Sequence, residues 1–354
     1  MAKDKKSKKK DKKSKKAAKE LEVIAKDLAQ RKAVRNAKKA KDAKIKVAAE
    51  KVAEVVAPKA SDAPNPFDVA DALRAGPGFV LTDLDTSSTP GFDGSREEAE
   101  ALMGPLAEQV ADLQERLYAE AKAGGKRSVL LVIQGMDTSG KGGIMRHVVG
   151  ATDPQGVDIT AFKAPTKEER AHPFLWRIRN ALPEPGIIGV FDRSHYEDVL
   201  IVRVHDLVPR TQWARRYAQI NAFEKQVVAS GTTVIKVMLD ISRDEQKARL
   251  AERLANPEKH WKFNPGDLDE RAYWDDYMQA YQAAIDKCST DEAPWYVVPA
   301  DRKWYARLAV MNLLLNALQG LDPQWPAAEF DVAEQQRRLD EDVQKSADED
   351  STSS

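Results

Sequence analysis

The stretch GMDTSGKGG, residues 135–143, follows directly on the apolar run SVLLVIQ of residues 128–134, and no other feature narrows the fold as much. A short continuous apolar run reads as a strand buried on both faces, which is the situation of a parallel sheet. A turn of the form G-x-x-x-x-G-K then aims backbone N–H groups at phosphate oxygens, while its lysine adds a mobile charge. Gly135, Gly140 and Lys141 fill the fixed positions, and Gly135, Gly140 and Gly142 are the expected backbone contacts to phosphate. A helix from about Gly143 onward should place the anion at a helix N-terminus.

Strand and helix signals alternate through the body. Ser95 with Glu98 forms a capping box ahead of Leu102, Leu106, Val110, Leu113 and Leu117, whose spacing predicts a helix packed along one face. Further strands are expected at 157–162, 187–192, 233–241 and 295–300. Helices are expected at 211–230, 242–255, 268–286 and 301–318. The alternation implies right-handed βαβ units and an α/β fold, a parallel sheet covered by helices on both faces.

Two letters of the phosphate loop are unusual. Asp137 puts a negative charge inside an anion cradle, and Gly142 stands where a metal-binding Ser or Thr commonly follows the lysine. Two unit charges about 4 Å apart repel by roughly 4 kcal/mol at an intermediate effective dielectric, so a carboxylate beside phosphate needs a divalent cation between them. Mg²⁺, with Mn²⁺ as a substitute, fits that need. Asp192 ends the strand IIGVFD, and the carboxyl ends of parallel strands meet at the ligand crevice, so Asp137 and Asp192 are the candidate metal ligands. A water-facing loop side chain is the plain alternative for Asp137, and a helix N-cap for Asp192.

Arg193 follows at once, and a planar guanidinium clamps phosphoryl oxygens in bidentate fashion. Lys163, Arg177, Arg179 and Arg203 lie near predicted element ends, where a concentration of cations suits a highly anionic ligand. The histidines at 147, 172, 195, 205 and 260 match no zinc spacing and read as structural or hydrogen-bonding groups. A phosphate oxygen is already anionic near neutral pH, so an acceptor of that kind needs no strong base. Residues 256–277 mix Pro, Gly and aromatics with Lys259, Lys262 and Arg271, as expected of a lid that closes over phosphates and expels water.

Composition sets the surroundings. The 354-residue chain has zero formal net charge, but residues 1–60 hold 22 Lys and Arg against 8 Asp and Glu, a net of +14; the remaining 34 against 48 give −14. The opening KDKKSKKKDKKSKK cannot bury apolar area and is expected to be disordered, with a partly helical stretch over 17–56. An acidic tail is expected over 326–354. Cys288 is the sole cysteine, which excludes an intrachain disulfide or a cysteine-rich metal site and suits a cytoplasmic setting. No apolar run approaches the roughly 20 residues that a membrane span requires.

At the words GMDTSGKGG, DPQGVDITAFKAPTKEE, FLWRIRNALP, FDRSHYEDVLIVRVH, INAFEKQV, EKHWKFNPGDLDERAYWDDYMQAY and APWYVVPADRKWYARLAV the chain resembles the polyphosphate kinase 2 family, particularly its class III branch. The resemblance runs in order from about residue 75 to 320. It implies a P-loop kinase-like three-layer sandwich over 61–325 with a helical lid, using Mg²⁺ and inorganic polyphosphate as phosphoryl donor to nucleoside mono- and diphosphates. Carried over, Asp137 and Asp192 organise the metal, Lys141 and Arg193 stabilise the transferring group, and Lys163, Arg177 and Arg203 line the phosphate path. Glu197 is a candidate near the acceptor. Asp192 stands where class III members often show asparagine, and Arg179 where histidine is common; the lysine-rich extension has no counterpart in compact members. A homo-oligomer is expected. Two rival readings are an ATP-dependent nucleotide kinase with the same loop and lid, and a nucleic-acid-binding P-loop NTPase that uses the basic tail; the body carries no modular nucleic-acid motif.

Overall fold

The computed structural model describes residue 65, residues 67–339 and residue 341. The lysine-rich extension, with its expected disorder and partial helix, and the end of the acidic tail lie outside the described residues. Five strands, β1 (Ser128–Gln134), β2 (Val157–Ala161), β3 (Ile188–Asp192), β4 (Thr232–Asp240) and β5 (Trp295–Pro299), form one sheet in the order β2-β3-β1-β4-β5. Every pairing in it is parallel. The expected strands are all present, with ends moved by one residue or less.

Every residue of β1 is buried, because side chains that alternate across the sheet meet apolar cores on both sides. Val129, Leu131 and Ile133 join one core, and Leu130 and Val132 join the other. Six helices make the outer layers: α1 (Arg96–Lys122), α2 (Lys141–His147), α3 (Arg210–Ala229), α4 (Arg243–Ala255), α5 (Trp274–Cys288) and α6 (Lys303–Leu321). The first core takes side chains from α1, α2 and α6, and the second from α3 and α5. The result is the three-layer α/β/α sandwich.

Local chemistry explains the element starts. Ser95 Oγ accepts from the Glu98 N–H at 3.2 Å while Glu98 Oε2 accepts from the Ser95 N–H at 2.7 Å, closing the capping box of α1. All five leucine and valine positions predicted for its inner face are buried. Ser242 caps α4 through the Glu245 N–H. Three expectations shift: the helix after the phosphate loop begins at Lys141 rather than Gly143, the helix expected at 268–286 becomes α5, which starts at Trp274, and the helix expected at 301–318 becomes α6, Lys303–Leu321. The FLWRIRN segment supplies only one helical turn, Trp176–Arg179, before Pro183.

The connections leave β1 and β3 on opposite faces. After β1 the chain enters α2 against the first core, whereas after β3 it enters Tyr196–Leu200 and α3 against the second. The carboxyl ends of β1 and β3 therefore border the crevice where strand order reverses, the usual ligand position of an open α/β sheet.

Candidate active site

The phosphate loop arches from the end of β1 in a conformation only glycine accepts at its anchors. Gly135 has φ 147°, and a Cβ there would lie 2.7 Å from Leu239 O; Gly140 has φ 124°. Thr138 and Arg193 are non-glycine residues at φ 64°, one in the loop and one just past β3. Strain of this kind persists where the surroundings over-determine it, and it clusters at functional sites. Here it marks both lips of the crevice.

Within the crevice Lys141 Nζ donates to Gly135 O at 2.6 Å and to Met136 O at 3.3 Å. Arg193 Nη2 donates to Asp137 Oδ1 at 3.1 Å, which ties the partly exposed Asp137 carboxylate to the residue just past β3. Asp192 is the last residue of β3, level with Ile133 of β1; Ser194, not Asp192, caps the turn His195–Asp198. Asp137, Asp192 and Glu197 all act electrostatically on Lys141 and on Arg193. Burial lowers the Lys141 pKa, with the Asp137 charge opposing it. Burial raises the Glu197 pKa, while Arg193 and Lys141 pull it back. With its amide oriented to satisfy both ends, Gln134 donates to Glu197 Oε1 at 3.1 Å and accepts from the Ser194 N–H at 3.1 Å.

The hydroxyls of Thr138 and Ser139 are buried without a hydrogen-bond partner. Buried polar groups are nearly always paired, so two orphans beside Asp137 and Lys141 suit a ligand that brings acceptor oxygens or a cation. Among the described residues no group of three or more His, Cys, Asp or Glu forms a metal cage. Two carboxylates with neighbouring hydroxyls nevertheless fit Mg²⁺, which keeps several waters and takes its remaining ligands from phosphate.

Residues that the sequence did not single out hold the loop in shape. Arg249 of α4, 5% exposed, donates from Nη1 to Thr138 O and Ser139 O (both 2.9 Å) and from Nη2 to Ala300 O (2.6 Å) and Asp301 O (3.0 Å). Its Nε pairs with Glu245 at 2.8 Å. Gln246 donates to Asp137 O at 3.0 Å and accepts from Arg271 of the lid at 2.5 Å. The signal for these roles is weak in sequence, because RDEQKARLAERLA reads as a solvated, highly charged helix.

The other predicted residues are spread more widely. Arg271 reaches the loop through Gln246, but Lys259 pairs with Glu252 of α4 and Lys262 lies over the exposed Trp261 ring. Asp267 of the lid does approach the site: burial raises its pKa, and the Asp137 charge adds to that. The lid is seated by Glu270, which accepts from Tyr277 Oη at 2.7 Å and faces His205 Nε2 at 3.1 Å. Arg177 donates to Lys163 O at 2.8 Å, which ties the segment after β2 to the Trp176–Arg179 turn. Arg203 bonds Tyr217 Oη at 3.3 Å, and Arg179 bonds Gln226 and covers Phe223 on α3.

Beneath the 193–197 segment lies a dry ionic network. Glu224 takes bonds from Tyr196 Oη (2.8 Å) and Lys236 Nζ (2.6 Å) and lies 3.1 Å from His195 Nε2. Burial opposes its charge, but Lys236 and His195 hold the Glu224 carboxyl low. Lys236 also donates to Cys288 O at 2.6 Å, and burial pushes the Cys288 thiol up to about 12. This network fixes the chain on which Arg193 and Glu197 sit, and it gives His195 the structural role expected of it.

Residues 94–326 match the family model Polyphosphate kinase 2 (PPK2). The AMP/ADP-polyphosphate phosphotransferase of Meiothermus ruber is 45% identical over 251 residues, covering 71% of this chain and 92% of that protein. The ADP-polyphosphate phosphotransferase of Rhodopseudomonas palustris is 42% identical over 247 residues, covering 66% and 84%. A crystal structure of polyphosphate kinase 2 from Arthrobacter aurescens TC1 superposes with a TM-score of 0.76 at 56% identity, covering 77% of this chain and 97% of that one.

Proposed function

Since the chain belongs to the polyphosphate kinase 2 family, we propose that it transfers the terminal phosphoryl group of inorganic polyphosphate to nucleoside mono- and diphosphates, raising AMP to ADP and ADP to ATP. The observation that carries this reading is the convergence of Asp137, Lys141, Arg193 and Glu197 where β1 and β3 end, between the phosphate loop and a seated lid. The names of the Meiothermus and Rhodopseudomonas relatives support the donor and the acceptors.

In this mechanism an oxygen of the acceptor's terminal phosphate attacks the end phosphorus of polyphosphate. A new P–O bond forms as the bond to the bridging oxygen breaks, and the shortened polyphosphate leaves with that oxygen and its electron pair. Lys141 exchanges its carbonyl partners for the phosphate oxygens, and Arg193 turns its guanidinium to the transferring group, stabilising charge spread over the equatorial oxygens. The backbone N–H groups of Gly140, Lys141 and Gly142, at the start of α2, position the donor. Asp137 and Asp192, with the Thr138 and Ser139 hydroxyls nearby, would hold Mg²⁺; when bound, that ion neutralises charge between carboxylates and phosphates. The lid excludes water, which otherwise competes as acceptor.

The test is an assay of purified protein with AMP, Mg²⁺ and polyphosphate but no ATP. Formation of ADP is expected, and Asp137→Asn should abolish it while the melting curve shows a folded protein. Product formed only with ATP as donor would instead identify an ATP-dependent nucleotide kinase.

A further inference from the structure

Past the end of α6 the chain leaves large apolar side chains in water: Trp325, Phe330, Val332 and Leu339 are each more than half exposed. A helix over 332–339 starts from Asp331, whose Oδ1 accepts from the Glu334 N–H at 3.1 Å, and all of its residues except Glu334 are exposed. Eight residues of helix are marginal in water unless another element packs against them. Val332 and Leu339, seven residues apart, lie on one face of that helix, and Val343 continues the row in sequence. The row calls for a cover.

Residues 45–56 carry the same spacing. Ile45, Val52 and Val56 stand at i, i+7 and i+11, with Ala49 between them on the same face. The two segments are opposite in charge: residues 31–56 hold nine Lys and Arg against three Asp and Glu, a net of +6, and residues 322–354 hold three against ten, a net of −7. They also reach the body at one place. Asn65 bonds both Asn312 and Asn316 of α6, and Asn316 Nδ2 donates to Asp68 Oδ1 at 2.6 Å. From Asn316 to the end of α6 at Leu321 is only five residues, about 7.5 Å along the axis. The nine-residue step from Val56 to Asn65 spans up to about 30 Å, which is ample for the first segment to lie on the second.

We propose that residues 45–56 dock as a helix on the apolar row of Val332, Leu339 and Val343 in the same chain. The pair is antiparallel, because the first segment runs toward α6 and the second runs away from it, so Val56 sits beside Val332 and Ile45 beside Val343. This alignment sets Lys46 level with Asp342, and Lys38, Lys39 and Lys41 level with the acidic run 348–350. Burial of the apolar row supplies the attraction, while the exposed charges add little apiece and fix the orientation. A second copy carries the same sequence, but the tether through α6 gives the chain's own segment the higher effective concentration. The run KDKKSKKKDKKSKK stays outside the pair, and the docking does not depend on which donor the enzyme uses.

The experiment introduces Val56→Cys and Val332→Cys together into the full chain, oxidises it mildly and identifies linked peptides by mass spectrometry. Cys288 is buried with its thiol pushed up to about 12, so it does not compete. An intrachain disulfide should form at a rate independent of protein concentration and about tenfold faster than in a control with Val56→Cys and Glu258→Cys, whose second position lies in the lid beyond the carboxyl ends of the strands. Adding Leu339→Asp, at an exposed position, should slow the linkage to the control rate and leave the melting curve of the body unchanged. A rate equal to the control, or one that Leu339→Asp does not alter, would overturn the docking. Linkage found only between chains, and rising with concentration, would overturn it as well and make the cover a second copy.

Discussion

Asp240, at the carboxyl end of β4, is 4% exposed, and burial together with the Asp301 charge pushes its pKa up to about 7. The unfolded chain holds such a carboxyl near 4, so between about pH 4 and pH 7 the native state binds the extra proton. Stability from this group is therefore full below about pH 4 and is lost as pH rises through 7. Asp240→Asn should raise the melting temperature at pH 8 and leave it little changed at pH 4; equal shifts at both values would contradict the assignment. Asp301 is better served, accepting from Thr86 Oγ1 at 2.7 Å and the Ser242 N–H at 2.8 Å. At this scale the sequence was legible where a residue's chemistry is local. Gly135, Gly140, Lys141 and Asp137 announce themselves by spacing. Arg249 does not, because its role depends on loops more than 50 residues away meeting at one guanidinium.

Elements were legible in proportion to how local their sequence signal is. β1 lies in the middle of the sheet with core on both faces, and its unbroken apolar run predicted it to the residue. The capped start of α1 came through for the same reason, since its signal sits in four consecutive residues. The lid did not come through in detail. Its short turns, Pro257–Lys262, Gly266–Glu270 and Arg271–Tyr273, are held by tertiary bonds and not by periodicity, so nothing in sequence separates Arg271, tied to Gln246, from Lys259, tied to Glu252. Arg271→Ala is expected to lower nucleotide phosphorylation about tenfold and to raise the ratio of free orthophosphate to nucleotide product, because a loosened lid admits water. An unchanged ratio at reduced rate would mean that Arg271 positions substrate without sealing the site.

The whole molecule carries its charge unevenly, +14 over residues 1–60 and −14 over the remainder. A cationic segment tethered to an acidic body raises the local concentration of polyanions, an effect that salt screens over roughly 10 Å at 0.1 M. Deletion of residues 1–56 should weaken use of long polyphosphate at low salt and leave turnover on short polyphosphate intact; identical kinetics on both donors would exclude a capture role. Among the described residues no helix is long and apolar enough to cross a membrane.

The amide of Gln246 faces the phosphate loop with its nitrogen and the lid with its oxygen. Loop and lid are thus not independent cassettes. A chimera that imports a relative's lid to change acceptor choice must import its match at position 246 as well; otherwise the graft would sit on a hinge whose other half belongs to a different lock.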